Sequence, residues 1–168
     1  MEVCIDSVPV VIDNEDYEFV ANHKWHVNKR DVSEYGLFYF YCRIGRDVVT
    51  LHRSLLGCVV KDGIIVDHIN GDTRDCRKAN LRKCNRSQSQ MNRGIQANNK
   101  TGFKGVSYRK DKGKYEARIK IGGKMIHLGY TKTAEESNDR YIDASAKYFG
   151  KYRRNTEAAI IEAQGGEK

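Results

Sequence analysis

Apolar and polar residues alternate most cleanly between positions 114 and 131. Tyr115, Ala117, Ile119 and Ile121 interleave with Glu116, Arg118 and Lys120, the period-two pattern of a half-buried strand. Gly122-Gly123 follows as a two-residue hairpin turn, because glycine reaches positive φ without a Cβ clash. On the returning strand Ile126, Leu128 and Tyr130 are predicted on the apolar face, with Met125 and His127 opposite. An earlier strand at about 105–109 precedes this hairpin. Thr133-Ala134-Glu135-Glu136 has the spacing of a capping box and opens a helix running to about Phe149, stopped by Gly150. Its core stripe is Ala134, Tyr141, Ala144 or Ser145, and Tyr148. The segment reads as three antiparallel strands backed by one helix.

The rest of the chain is less regular. Residues 1–50 are predicted β-rich from short apolar runs at 8–12 and 37–44, the second of them aromatic. Trp25, among His23, Lys24 and His26, reads as a core anchor. A short helix is predicted over 51–58, and the apolar run Ile64-Ile65-Val66 leads straight into Asp67-His68. A polar loop with an Asn70-Gly71 turn follows, and a helix starts near Ser87, whose spacing to Gln90 is that of a capping box. Residues 94–101 are polar and turn-prone, a linker; residues 155–168 form a tail expected to fray. The fold class is α+β.

Charge divides the chain unevenly. Of the 30 Lys+Arg and 22 Asp+Glu, residues 1–50 hold 5 basic and 9 acidic, residues 51–100 hold 10 and 4, and residues 101–168 hold 15 and 9. A basic two-thirds behind an acidic third points to a polyanionic partner for the former. No run of 18 apolar residues exists, and the acidic start Met1-Glu2-Val3-Cys4-Ile5-Asp6 lacks a signal layout, so no membrane partner is expected. Five cysteines without a CxxC pair fit reduced cytoplasmic thiols.

Asp67-His68, followed twelve residues on by Asn80, is the sharpest chemical arrangement. An acidic residue at a strand end can hold a divalent metal, and the adjacent histidine can activate a water as general base. A buried asparagine can tie down the loop between them. Leu51-His52-Arg53, Val66-Asp67-His68-Ile69-Asn70-Gly71-Asp72, Asn80-Leu81-Arg82 and Asn92-Arg93 together resemble the HNH endonucleases, especially the homing-type enzymes of phages and introns. The resemblance covers about 51–93. It implies a ββα-metal core, with Asp67 as metal ligand, His68 as general base and Asn80 as the loop-pinning residue. The family's third signature residue, an asparagine or histidine nine positions after the middle asparagine, is Ser89 here; the resemblance implies Ser89 as the further metal ligand, with Asn92, one helical turn later, as the alternative. Mg²⁺ or Mn²⁺ is the implied ion, since the ligands are oxygens, and no small-molecule cofactor is expected.

The strands after residue 101 offer their own route to DNA. Glu116, Arg118 and Lys120 share a face with Arg109, Lys124 and His127 from neighbouring strands, and such a sheet can enter the major groove. Thr101-Gly102-Phe103-Lys104-Gly105-Val106, Gly113-Lys114-Tyr115-Glu116-Ala117-Arg118-Ile119, His127-Leu128-Gly129 and Thr133-Ala134-Glu135-Glu136 resemble the AP2/ERF DNA-binding domain over about 98–154. The resemblance implies contacts to double-stranded DNA from Lys104, Ser107, Arg109, Tyr115, Arg118, Lys120 and His127. Ser107, Tyr115 and His127 replace family arginines and tryptophans, so the plant-type sequence preference is not carried over. Tyr115 is either a base or sugar contact or a core residue beside Ala117 and Ile119.

The expected layout is therefore a β-rich segment over 1–50, a nuclease motif over 51–93, a linker over 94–101, and a DNA-binding domain over 102–154. The expected function is metal-dependent phosphodiester hydrolysis in double-stranded DNA, in the cytoplasm, that of the host cell if a phage encodes the chain. The alternatives are a degenerate relative that binds DNA without cutting it and an RNA-binding module.

Overall fold

The computed structural model describes residues 1–28, 32, 36–96 and 98–154; the tail expected over 155–168 lies outside them. The chain divides into two compact units, 1–89 and 90–168.

The first unit is built from small sheets around one core. Strands β1 (Glu2–Ile5) and β2 (Val8–Val11) form a hairpin, and β3 (His26–Val27), β4 (Phe40–Ile44) and β5 (Asp47–Thr50) form a three-stranded sheet in that order. Two one-turn helices, α1 (Tyr17–Ala21) and α2 (Leu51–Leu55), pack between them, the second ending three residues earlier than its sequence suggests. A last hairpin joins β6 (Ile65–His68) to β7 (Leu81–Cys84), pairing Asp67 with Arg82 and His68 with Leu81. One continuous cluster of buried side chains runs from Ile5, Val10 and Ile12 through Trp25 and Phe40 to Leu51, Val66, Cys76 and Leu81. The first 50 residues thus share a core with the β6–β7 hairpin, and burial of apolar area is what binds them together.

Helix α3 (Arg86–Asn92) follows β7 after one residue. Its start is earlier than the Ser87 spacing suggests. Asn85 Oδ1 accepts from the Gln88 amide and Gln88 Oε1 accepts from the Asn85 amide, both at 2.9 Å. The strand ends at Cys84, so Asn85 is the first residue free to take the cap position, and asparagine caps as well as serine does.

In the second unit β8 (Val106–Arg109), β9 (Lys114–Ile121) and β10 (Lys124–Thr131) form an antiparallel sheet, β10-β9-β8, with α4 (Ala134–Phe149) against one face. The Thr133 hydroxyl caps α4 by accepting from the Glu136 amide at 3.2 Å. Ile119, Tyr141, Ala144 and Phe149 form the core, with Met91, Ile121 and Leu128 against it. Tyr148 is exposed and Phe149 takes the buried place expected of it.

A bulge interrupts β10. His127 pairs with Arg118 but Gly129 pairs with Ala117, so Leu128 is the extra residue and the alternation flips beyond it. Tyr130 therefore shares the face of Glu116 and His127, not the apolar face. Arg140 of α4 holds the bulge, donating from Nη1 to the carbonyls of Leu128 (3.3 Å) and Tyr130 (3.5 Å). Gly129 is required there: its φ is +113°, and a Cβ would stand 2.2 Å from Arg140 Nη1.

Candidate functional site

Side chains leave a strand alternately to its two sides, so adjacent Asp67 and His68 face different surroundings. Asp67 turns to Arg82, whose Nη2 and Nε lie 2.8 and 3.3 Å from Oδ2. His68 turns inward and is 4% exposed. Its ring lies 5.2 Å from that of His52, which in turn lies 5.4 Å from Tyr39, and its Nε2 is 3.8 Å from the Cys76 thiol. Burial lowers the His68 pKa to about 4, against the pull of the Asp67, Asp72 and Asp75 carboxylates, which raise it. His52 is lowered further, to about 3, by burial and by the charges of His68 and Arg53. Burial pushes the Cys76 thiol up to about 12. At neutral pH the cluster is two uncharged imidazoles and a protonated thiol.

Between β6 and β7 the chain makes a twelve-residue loop, 69–80, and Asn80 closes it. Its Oδ1 accepts from the Asn70 amide at 3.0 Å, while Nδ2 donates to Asn70 Oδ1 (3.0 Å) and to the Asp75 carbonyl (2.8 Å). The Asn80 carbonyl accepts from the Ile69 amide at 2.8 Å. One amide side chain thus fastens Asn70, the second residue after the strand, to the middle of the loop. Arg77 grips both oxygens of Asp75 from within the loop, at 2.8 and 2.7 Å.

The acidic N-terminal segment braces the same loop from outside. Val11 accepts from the Cys76 amide at 2.8 Å and donates to the Arg74 carbonyl at 2.9 Å, so β2 runs against the loop as an extra pairing. Asp13 accepts from the Lys78 amide at 2.7 Å, and the Lys78 ammonium pairs with Glu15 and Asp16. Thr73 Oγ1 accepts from the Phe38 amide at 2.9 Å. No sequence motif marks these contacts; the opposite charges of 13–16 and 74–78 are the only signal. Arg53 supports the entry to β6 from α2, donating to the Val59 and Ile64 carbonyls and pairing with Asp62 at 2.6 Å.

Ser89 lies on α3, half-buried, the last residue of the first unit; Asn92, buried, belongs to the second. Among the described residues no three His, Cys, Asp or Glu side chains are grouped as a metal site. A carboxylate and a hydroxyl are hard oxygen donors. They suit a small divalent ion that keeps several waters and takes further oxygens from a phosphate.

The residues expected to touch DNA divide between locations. Ser107, Arg109, Arg118, Lys120 and His127 lie on the sheet face away from α4, since cross-strand partners share a face and Ser107 pairs with Glu116, His127 with Arg118. Tyr115 does not join them. It pairs with Tyr108 and Thr131, whose hydroxyl lies 2.7 Å from that of Ser137 on α4, so Tyr115 is on the helix side. Lys124 pairs with Ile121 and shares that side. Lys104 is in the turn before β8, its ammonium donating to the Met91 carbonyl at 2.7 Å; burial and the nearby Arg154 and Arg93 charges lower its pKa to about 8. Glu116, on this face as its alternation predicts, is the buried centre of it, and Tyr130, predicted on the apolar face, enters through the bulge. The Tyr130 ring lies 4.6 Å from His127 and has the Lys112 ammonium 4.1 Å above it.

Residues 56–91 match the family model described as HNH endonuclease. That stretch contains Asp67, His68, Asn80 and Ser89, and the match supports an HNH nuclease motif there, which points to DNA as substrate. No curated protein and no solved structure matches the chain. No helix among the described residues is long and apolar enough to cross a membrane.

Proposed function

We propose that this protein is a metal-dependent endonuclease of the homing type, phage-borne, that binds double-stranded DNA and hydrolyses one of its phosphodiester bonds. The observation that carries this reading is the braced β6–β7 loop inside the matched stretch, with Asn80 fastening Asn70 beside His68.

In this reading His68 takes a proton from water at its imidazole as the water oxygen bonds to phosphorus and the bond to the leaving ester oxygen breaks. The lowered pKa leaves the ring unprotonated at neutral pH and so able to accept the proton, as a weaker base than a histidine titrating near 7. Asn80 keeps the backbone around His68 from shifting, and Arg77 does the same for Asp75. Asp67, with Ser89 or Asn92, would hold Mg²⁺ or Mn²⁺, which supplies positive charge to the scissile phosphate and the leaving oxygen. The face bearing Arg109, Arg118, Lys120 and His127 docks on duplex DNA in the manner the AP2/ERF resemblance implies, with lysines on phosphates and arginines on base edges.

A second reading, a DNA-binding protein whose cutting site has decayed, is favoured by two observations. Serine stands where the family uses an amide or imidazole, and His68 is 4% exposed. Incubating supercoiled plasmid with the protein in Mg²⁺, in Mn²⁺ and in EDTA separates the two. Relaxed circles in metal but not in EDTA support the nuclease. Retarded plasmid that is never nicked, including with Ser89→Asn, supports the second reading.

A further inference from the structure

Alternation along β9 places Glu116 on the polar face of the sheet, where a carboxylate would ordinarily be solvated. Its side chain is 5% exposed. Three cationic or protonatable groups, one from each strand, close over it. Arg118 Nη2 lies 2.8 Å from Oε2, Arg109 Nη1 lies 3.3 Å from the same oxygen, and His127 Nε2 lies 3.3 Å from Oε1. Arg109 is held a second time by Asp111, at 3.0 and 3.2 Å.

Two guanidiniums that meet at one carboxylate oxygen would repel each other without it. Arginines on an exposed sheet would also sample many rotamers, and any contact they made would first have to overcome that freedom. Cationic side chains free to move bind phosphate wherever it lies, which gives affinity without sequence information. Fixed guanidiniums present their planar forks in one direction, the condition for a bidentate match to a guanine edge.

We propose that Glu116 is the positioning residue of this face: its buried carboxylate fixes the Arg109 and Arg118 guanidiniums and cancels part of their charge, so that the face selects among base sequences instead of adhering to any backbone. The inference rests on the reading of this face as the DNA-docking surface. It predicts opposite effects on affinity and on selectivity, which a residue needed only for folding would not produce.

The test is Glu116→Gln, which keeps the shape and removes the charge. A random-sequence duplex pool is bound, recovered and sequenced, and affinity for the unselected pool is measured across a salt series. The expected result is several-fold tighter binding to the unselected pool and a salt slope steeper by about one phosphate, with sequence enrichment falling at least tenfold. Glu116→Asp is expected to restore part of the enrichment, and Asp111→Asn, which touches Arg109 alone, to lower it less. Circular dichroism melts identify any unfolded variant; if Glu116→Gln does not fold, the Glu116→Asp and Asp111→Asn ranking decides. Enrichment equal to that of the wild type in a folded Glu116→Gln, or loss of affinity and enrichment together, overturns the proposal. A wild-type protein that binds no duplex at all overturns the docking reading and the inference with it, and is seen before any variant is made.

Discussion

Arg82 and Asp67 face each other across the β6–β7 hairpin, with Nη2 2.8 Å from Oδ2 and both side chains at most 15% exposed. The carboxylate proposed to hold the metal therefore already has a cation beside it, and a divalent ion at Asp67 would work against that charge. Arg82→Gln is expected to lower the Mg²⁺ concentration that half-activates nicking by roughly three- to tenfold, equivalent to about 0.7–1.4 kcal/mol. A metal titration of the nicking rate measures it. A midpoint that stays put or rises counts against Asp67 as the ligand.

Asn80 is the loop's fastening, and its loss leaves the Asn70 amide and the Asp75 carbonyl without that partner. Asn80→Ala is expected to cost about 1–3 kcal/mol of stability. Trp25, the single tryptophan and part of the same core, reports this as a fluorescence midpoint in urea. Nicking is expected to fall by more than the folded fraction does. Asn80→Asp keeps the acceptor for Asn70 but sets a buried carboxylate oxygen against the Asn70 and Asp75 acceptors, so it should cost at least as much as alanine on both measures.

Acid should weaken the first unit. His52 and His68 have folded-state pKa values of about 3 and 4, below the unfolded value of 6.5. Between those limits the unfolded chain binds more protons, so stability is full above about pH 6.5 and is lost as pH falls towards 4. Each histidine contributes a slope approaching 1.4 kcal/mol per pH unit in that window. Asp72 and Asp75, whose pKa values are lowered by their arginine hydrogen bonds against the effect of burial, add their own loss only at lower pH. Urea midpoints at pH 5 and pH 7 test this, with His52→Asn expected to remove about half the difference. Equal stability at the two pH values would mean that these rings are not buried uncharged.

Ser89 is short for a metal ligand, and Ser89→Asn restores the amide that the HNH family uses at this position. It should raise the nicking rate at limiting Mg²⁺ several-fold with little change in DNA affinity. An unchanged rate would move the second ligand to Asn92, for which Asn92→Ala is the companion variant.

Much of the second unit was legible because its strands carry one simple period and its turn carries two glycines. What escaped was where that period breaks. The bulge at Leu128 has no marker except Gly129, and it carries Tyr130 to the other face. Glu116 reads as solvated because alternation reports which side a residue is on, not whether neighbouring arginines fold over it. Alternation alone leaves Tyr115 open between core and contact, and the pairing with Thr131 puts it beside the helix. In the first unit Asp67, His68 and Asn80 stood out through their spacing. Their supports did not: Val11 reaches the loop from a distant position through backbone pairing, and Cys76 of the loop and His52 of α2 meet His68 through packing, contacts that leave no periodic trace. The acidic segment acquired a role for the same reason: its carboxylates are the counter-charges of Lys78 and its neighbours.

The central claim is that His68 performs the chemistry while the second unit holds the DNA, and His68→Ala separates the two. Plasmid nicking in Mg²⁺ and duplex retention in EDTA are measured on the same preparation, with Trp25 fluorescence as the check on folding. The expected result is nicking reduced to the level of the EDTA control, with duplex affinity within about twofold of wild type, a difference of about 0.4 kcal/mol. Nicking that persists in the folded variant would contradict the account.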